Sequence, residues 1–149
     1  MTKRTGFDPL AATQLPETTG GIAPHELAGL AETARRGDVF PVCLRLDAAR
    51  AASAWAERAS IALAVGPVCP GNVLDTACTF MPRATGPRLL RAGAAIARAT
   101  HAPNAAERAS WVAHAGRDLE DAARLDPADV TGLVLRSELA TIARRPSPS

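Results

Sequence analysis

The sequence predicts an all-α protein: a bundle of five or six helices with a flexible N-terminal arm. Three observations carry this. About a fifth of the 149 residues are alanine, the best helix former and a poor strand former. Apolar residues recur at steps of three and four over long stretches. Proline and glycine fall where helices start and stop. The length suits one domain and is enough for a core without metals or disulfides. Aromatic residues are 3% of the chain and tyrosine is absent. A core of alanine, leucine and valine is therefore expected, with Trp55 and Trp111 as its two large buried pieces.

Residues 1–21 mix threonine, proline and glycine without a helical period and read as an arm dispensable for folding. The first helix is predicted over 24–36, with Pro24 in its first turn, Gly37 as its stop, and Glu26, Arg35 and Arg36 placed to suit the helix dipole. Asp38 is positioned to cap a second helix that has Pro41 in its first turn and no breaker before Gly66-Pro67. Its stripe is Val42, Leu46, Ala49, Ser53, Ala56, Ser60 and Leu63, with Asp47, Arg50, Glu57 and Arg58 on the polar side. A short helix over 72–80 and another over 87–101 follow. Asn104 caps a fifth helix, with Glu107 three residues on. That helix carries Ala105, Ala109, Val112, Gly116, Leu119 and Ala123 on one face. Asp126-Pro127 restarts the chain into a last helix ending near Arg144. The domain reading is an arm over 1–21, a bundle over 22–145 and a disordered tail over 146–149. Ala115, Leu119, Ala122 and Pro127 resemble the second helix of a tetratricopeptide repeat, but Pro103 breaks the helix that should partner it, so an ordinary helical hairpin is expected.

The chemistry-bearing residues form no catalytic pattern. His25, His101 and His114 lie on separate segments, with no HExxH spacing. Cys43, Cys69 and Cys78 lack the close pairs of a zinc site and read as buried thiols, so no metal and no cofactor is expected. Three cysteines and no long apolar run point to a reduced, cytoplasmic chain without a membrane span. There is no glycine-rich phosphate loop and no GxSxG elbow.

Charge placement is the sharpest signal. Between Asp75 and Glu107 no acidic residue occurs, while Arg83, Arg88, Arg91 and Arg98 do. At 100° per residue, Arg88, Arg91 and Arg98 share one narrow helix face. They can meet an acidic protein or a phosphate backbone, or pair internally with the acidic fifth helix, where Asp118, Glu120 and Asp121 read as a solvated face. Arg45 projects from an apolar side. It either pairs with an acid such as Glu26 or Glu32 or binds an anion. The last helix reads as apolar on two sides. Val130, Leu133, Val134, Ser137 and Thr141 are expected to face the core, and Leu135, Leu139 and Ile142 to form a homodimer patch.

The resulting expectation is a non-catalytic helical interaction or regulatory module that acts through a protein partner, an acidic one being the match for the arginine stripe. Two alternatives are a small DNA-binding regulator using the arginine stripe and a binding protein or accessory subunit for a small anionic ligand. A helix-turn-helix has room at 121–135, but Gly132 stands where that motif needs a core residue and the segment is acidic.

Overall fold

A computed structural model describes residues 21–49 and 54–146. The expectations for the arm, for most of the tail, and for Arg50 and Ser53 in the second helix fall outside these residues. Among the described residues the chain is all-α, with seven α-helices and no strand: α1 Pro24–Arg35, α2 Phe40–Ala48, α3 Trp55–Val65, α4 Gly71–Phe80, α5 Thr85–Thr100, α6 Ala105–Leu125 and α7 Thr131–Ala143. A 3-10 turn, Gly66–Val68, joins α3 to α4.

Several ends follow the local signals. Pro24 opens α1, and Gly37 adopts φ +89 just past its end. Asn104 Oδ1 accepts from the Glu107 N–H at 2.8 Å, closing the start of α6. Asp38 is not a cap: Val39 occupies that place in α2 without a side-chain hydrogen bond, and the Asp38 N–H instead bonds the Thr33 carbonyl at the end of α1.

The second predicted helix is two helices, which accounts for the extra element. Ala49 leaves the helical region at ψ 57, and the Leu46 carbonyl accepts both from the Ala49 N–H at 3.2 Å and from Arg58 Nη1. The apolar stripe survives in the first part as Val42, Leu46 and Ala49, all buried. In α3 the buried face rotates to Arg58, Ala59, Ile61, Ala62 and Val65, while Ala56, Ser60 and Leu63 are only half-buried. Trp55 therefore opens a helix instead of sitting inside one, and it is 41% exposed, contrary to expectation. Trp111 is half-buried against the core.

α5 is the central element: α2, α3, α4, α6 and α7 all pack on it, and α1 packs on α2 and α3. Two cores meet along α3 and α5. One joins Ala59, Leu89, Ile96, Leu119, Leu135 and Ile142; the other joins Ile22, Val42, Leu46, Ile61, Leu74 and Leu90. Glycine allows α3 and α5 to touch backbone to backbone. A Cβ on Gly93 would come within 2.6 Å of the Ala62 carbonyl carbon, and one on Gly66 would overlap the Leu90 carbonyl.

The two faces of α7 are the reverse of those expected. Leu135, Leu139 and Ile142 are buried in the monomer core, so they cannot supply a dimer patch. Val130 and Leu133 are 42% and 66% exposed. Both faces are apolar enough to bury, and the approach of α6, α3 and α5 selects one. Leu135→Ala is expected to destabilise the fold by at least about 2 kcal/mol more than Leu133→Ala, as urea denaturation of both variants would measure. Equal losses would put both side chains in the same environment and contradict this placement.

α6 also turns from its expected face. Ala115, Asp118, Leu119 and Ala122 are buried, while Ala105, Ala109 and Ala123 are exposed. Asp118 is thereby moved from a solvated face to an interior one.

Candidate functional site

The acidic interior of α6 and the basic face of α5 meet in a cleft of about 530 Å³. α5 contributes Arg91, Ala94, Ala95 and Arg98. α6 contributes Trp111, His114, Arg117, Asp118 and Asp121. Gly71, Leu74 and Asp75 come from α4, and Pro67 and Cys69 from the turn before it.

Arg91 is committed to the fold. Its Nε and Nη2 grip the Asp118 carboxylate at 2.8–3.2 Å, and its Nη1 donates to Asp75 Oδ1 at 3.0 Å. The hydrogen bonds to Asp118 hold the guanidinium charge more firmly than in water, outweighing partial burial. Asp118 needs this partner because its side chain is 7% exposed. At the acidic end of the cleft, Asp121 pairs with Arg124.

Arg98 and Arg117 differ from Arg91. Both are exposed, and neither pairs with a carboxylate among the described residues. The Arg98 guanidinium lies over the Trp111 ring, 5.0 Å from its centroid. Trp111 and His114 are tilted neighbours with centroids 5.2 Å apart. Arg117 Nη2 lies 2.8 Å from His114 Nδ1, so this nitrogen must be the acceptor and His114 carries its proton on Nε2 in this arrangement. Residues 111, 114 and 118 fall three and four apart, on one side of α6. The result is a ledge, Arg98–Trp111–His114–Arg117, beside the Arg91–Asp118 pair. It can hold an anion by charge-assisted hydrogen bonds. It presents no activated nucleophile and no acid–base pair.

The chain matches no protein-family model, no curated protein and no solved structure.

The arginine face predicted from the sequence thus divides into separate roles. Arg88 Nη1 donates to the Met81 and Ala84 carbonyls at 3.3 and 3.2 Å, tying down the turn before α5. Arg83 is exposed and lines a different cavity, with Asp47, Leu125 and Asp126. Arg45 is away from the cleft: its Nε donates to Glu26 Oε2 at 2.6 Å, and it also pairs with Glu57. That hydrogen bond from Arg45 holds the Glu26 carboxyl below its usual range. Arg45 is therefore an internal tie and not an anion site, because two carboxylates already satisfy it. Sequence reasoning missed Arg117, Asp75 and the site roles of Trp111, His114 and Asp118. The available signal was the spacing of Trp111, His114 and Asp118, read instead as a core ring, a scattered histidine and a solvated acid.

The cysteines are core residues: Cys43, Cys69 and Cys78 are all buried and unbridged. Burial pushes the Cys43 thiol up to about 12 and the Cys69 thiol up to about 11. In the unfolded chain both titrate near 9.0. Above that pH the unfolded state binds fewer protons than the folded one, so stability falls as pH rises; below it the thiols contribute no slope. Each is expected to remove about 1.4 kcal/mol per pH unit between its unfolded and folded values. With no tyrosine and one lysine, the main other contributor there is Cys78, whose thiol is also pushed up by burial. Denaturant midpoints from pH 7 to 11 should bend downward near 9, and Cys43→Ala should flatten the bend. An unchanged bend in that variant would refute the assignment.

Among the described residues no three His, Cys, Asp or Glu side chains form a metal-holding group, and no helix is long and apolar enough to cross a membrane.

Proposed function

We propose that the protein is a non-catalytic helical interaction module that receives an acidic segment of a protein partner in the α4–α5–α6 cleft. The observation that carries this reading is the pair Arg98 and Arg117, two exposed guanidiniums of one cleft without a carboxylate partner among the described residues. Arginine beside a half-buried tryptophan is the composition of an interface centre.

The DNA-binding alternative has less support. It needs a continuous arginine stripe, yet Arg91 is spent on Asp118 and Asp75, and Arg88 on backbone carbonyls.

The test is titration of the protein with an aspartate-rich peptide, its amide counterpart and duplex DNA, followed by amide NMR shifts. The acidic peptide should perturb residues of α5 and α6 around 94–98 and 111–117. Arg98→Ala and Arg117→Ala should each weaken it about tenfold. Tight DNA binding at physiological salt with no response to the peptide would defeat the proposal.

A further inference from the structure

The charged side chains that line the α4–α5–α6 cleft balance. Arg91 and Arg98 on α5 and Arg117 on α6 are matched by Asp75 on α4 and by Asp118 and Asp121 on α6. The other titratable groups of the lining are the buried Cys69 thiol, which burial pushes up to about 11, and His114. Histidine is the side chain that changes charge between about pH 5 and pH 8. His114 therefore decides whether the lining is balanced or net positive near neutrality. His25 and His101 lie outside the cleft, at the start of α1 and just past α5.

The contact between His114 and Arg117 ties this charge to the anion ledge. Arg117 Nη2 lies 2.8 Å from His114 Nδ1. A guanidinium donates and never accepts, so the contact requires a bare Nδ1. A second proton on the ring turns Nδ1 into a donor. The hydrogen bond is then lost, and two cations stand side by side. We infer that His114 is a proton-operated switch of the cleft. Neutral, it occupies one Arg117 donor and leaves the lining balanced. Protonated, it releases that donor and adds a positive charge, so the acidic segment is held more tightly in mild acid. Arg91 and Arg98 oppose the added charge, while Asp75, Asp118 and Asp121 favour it. Those three carboxylates are already engaged, Asp75 and Asp118 by Arg91 and Asp121 by Arg124. A carboxylate of the partner is the uncommitted counter-ion. Linkage makes the effect reciprocal: a bound acidic segment keeps the His114 ring doubly protonated to a higher pH than in the free protein. The inference rests on the proposed acidic-partner function and names the regulation of that site.

The experiment uses the full chain and a capped aspartate-rich peptide that carries no histidine, with its asparagine counterpart as control. Affinities are measured by calorimetry at about pH 7.5 and about pH 5.5 at constant ionic strength. The peptide carboxyls ionise near about 3.9 and stay charged throughout. The aspartate peptide is expected to bind about fivefold more tightly at the lower pH, the effect of one added charge a few ångströms away in a partly screened cleft. The asparagine peptide should show no such gain. His114→Gln offers Arg117 an acceptor but takes no proton, and its affinity should be the same at both pH values; circular dichroism checks that it folds. Ring nitrogen shifts in NMR give a readout without ligand: in the free protein at about pH 7.5, His114 should carry its proton on Nε2. Equal affinities at the two pH values in the parent, a gain that persists in His114→Gln, or a proton on Nδ1 would overturn the switch and leave the acidic-partner reading standing. An aspartate peptide that binds at neither pH would remove both.

Discussion

Replacing Arg58 with alanine is expected to cost about 3–5 kcal/mol of stability, the penalty for removing one partner of a buried ion pair. Arg58 is 3% exposed and sits where four helices converge. It donates to Asp129 Oδ2 at 2.8 Å, to the Thr85 and Thr131 hydroxyls at 3.1 and 3.3 Å, and to the Leu46 carbonyl. Removing it strands a largely buried carboxylate and leaves the Leu46 carbonyl with the Ala49 N–H alone. Asp129 is itself held by the Thr131 hydroxyl and N–H at 2.7 and 2.9 Å. Burial alone would raise the Asp129 carboxyl, but the Thr131 hydrogen bonds and the Arg58 charge outweigh it and hold it below its usual range. The unfolded chain therefore binds more protons than the folded one in the acid range. Stability from Asp129 is complete above its unfolded value of 3.8 and is lost as pH falls through the folded value. Chemical denaturation of Arg58→Ala should show the loss at neutral pH and a weaker acid dependence. Arg58→Met with Asp129→Asn should recover part of the loss, since it removes the stranded charge. A single variant within about 1 kcal/mol of the parent would mean that the network does not hold the helices together.

Replacing Gly93 with valine is expected to destabilise the protein by about 3 kcal/mol or more, at the top of the range for overpacking. Most overpacked cores relax by moving side chains. Here the new Cβ meets the Ala62 carbonyl, so the backbones of α3 and α5 must part. α5 is the helix on which five others pack, and both cores border the crossing. Gly132→Ala is the control: it is also helical, and nothing lies within 4 Å of the Cβ it adds. Because alanine has the better helix propensity, that variant should be neutral or slightly stabilised. Thermal melts of the two proteins decide the matter; a Gly93→Val melt close to that of the parent would mean that α3 and α5 are not in backbone contact.

Much of the architecture was legible in local signals. Alanine content and three–four periodicity determined an all-α chain. Pro24, Gly37, Asn104 and Gly66-Pro67 marked boundaries close to those observed, because each acts through its own backbone or through a neighbour within one turn. Only tertiary structure decided which side of a helix became the inside. Over 130–142 both faces are apolar, and packing on α6, α3 and α5 buried Leu135 while leaving Leu133 exposed. The break after Ala49 has no proline or glycine to announce it; it is accompanied by Arg58, twelve residues from Leu46, reaching back to the Leu46 carbonyl beside the Ala49 N–H. The arginine face was correctly placed on one helix, but the partners of each side chain were not readable. A guanidinium reaches several ångströms and takes the nearest acceptor that folding delivers: Asp118 for Arg91, two carbonyls for Arg88, Glu26 for Arg45 and an indole face for Arg98. Periodicity determines where a side chain leaves the backbone, and long-range packing determines what it meets.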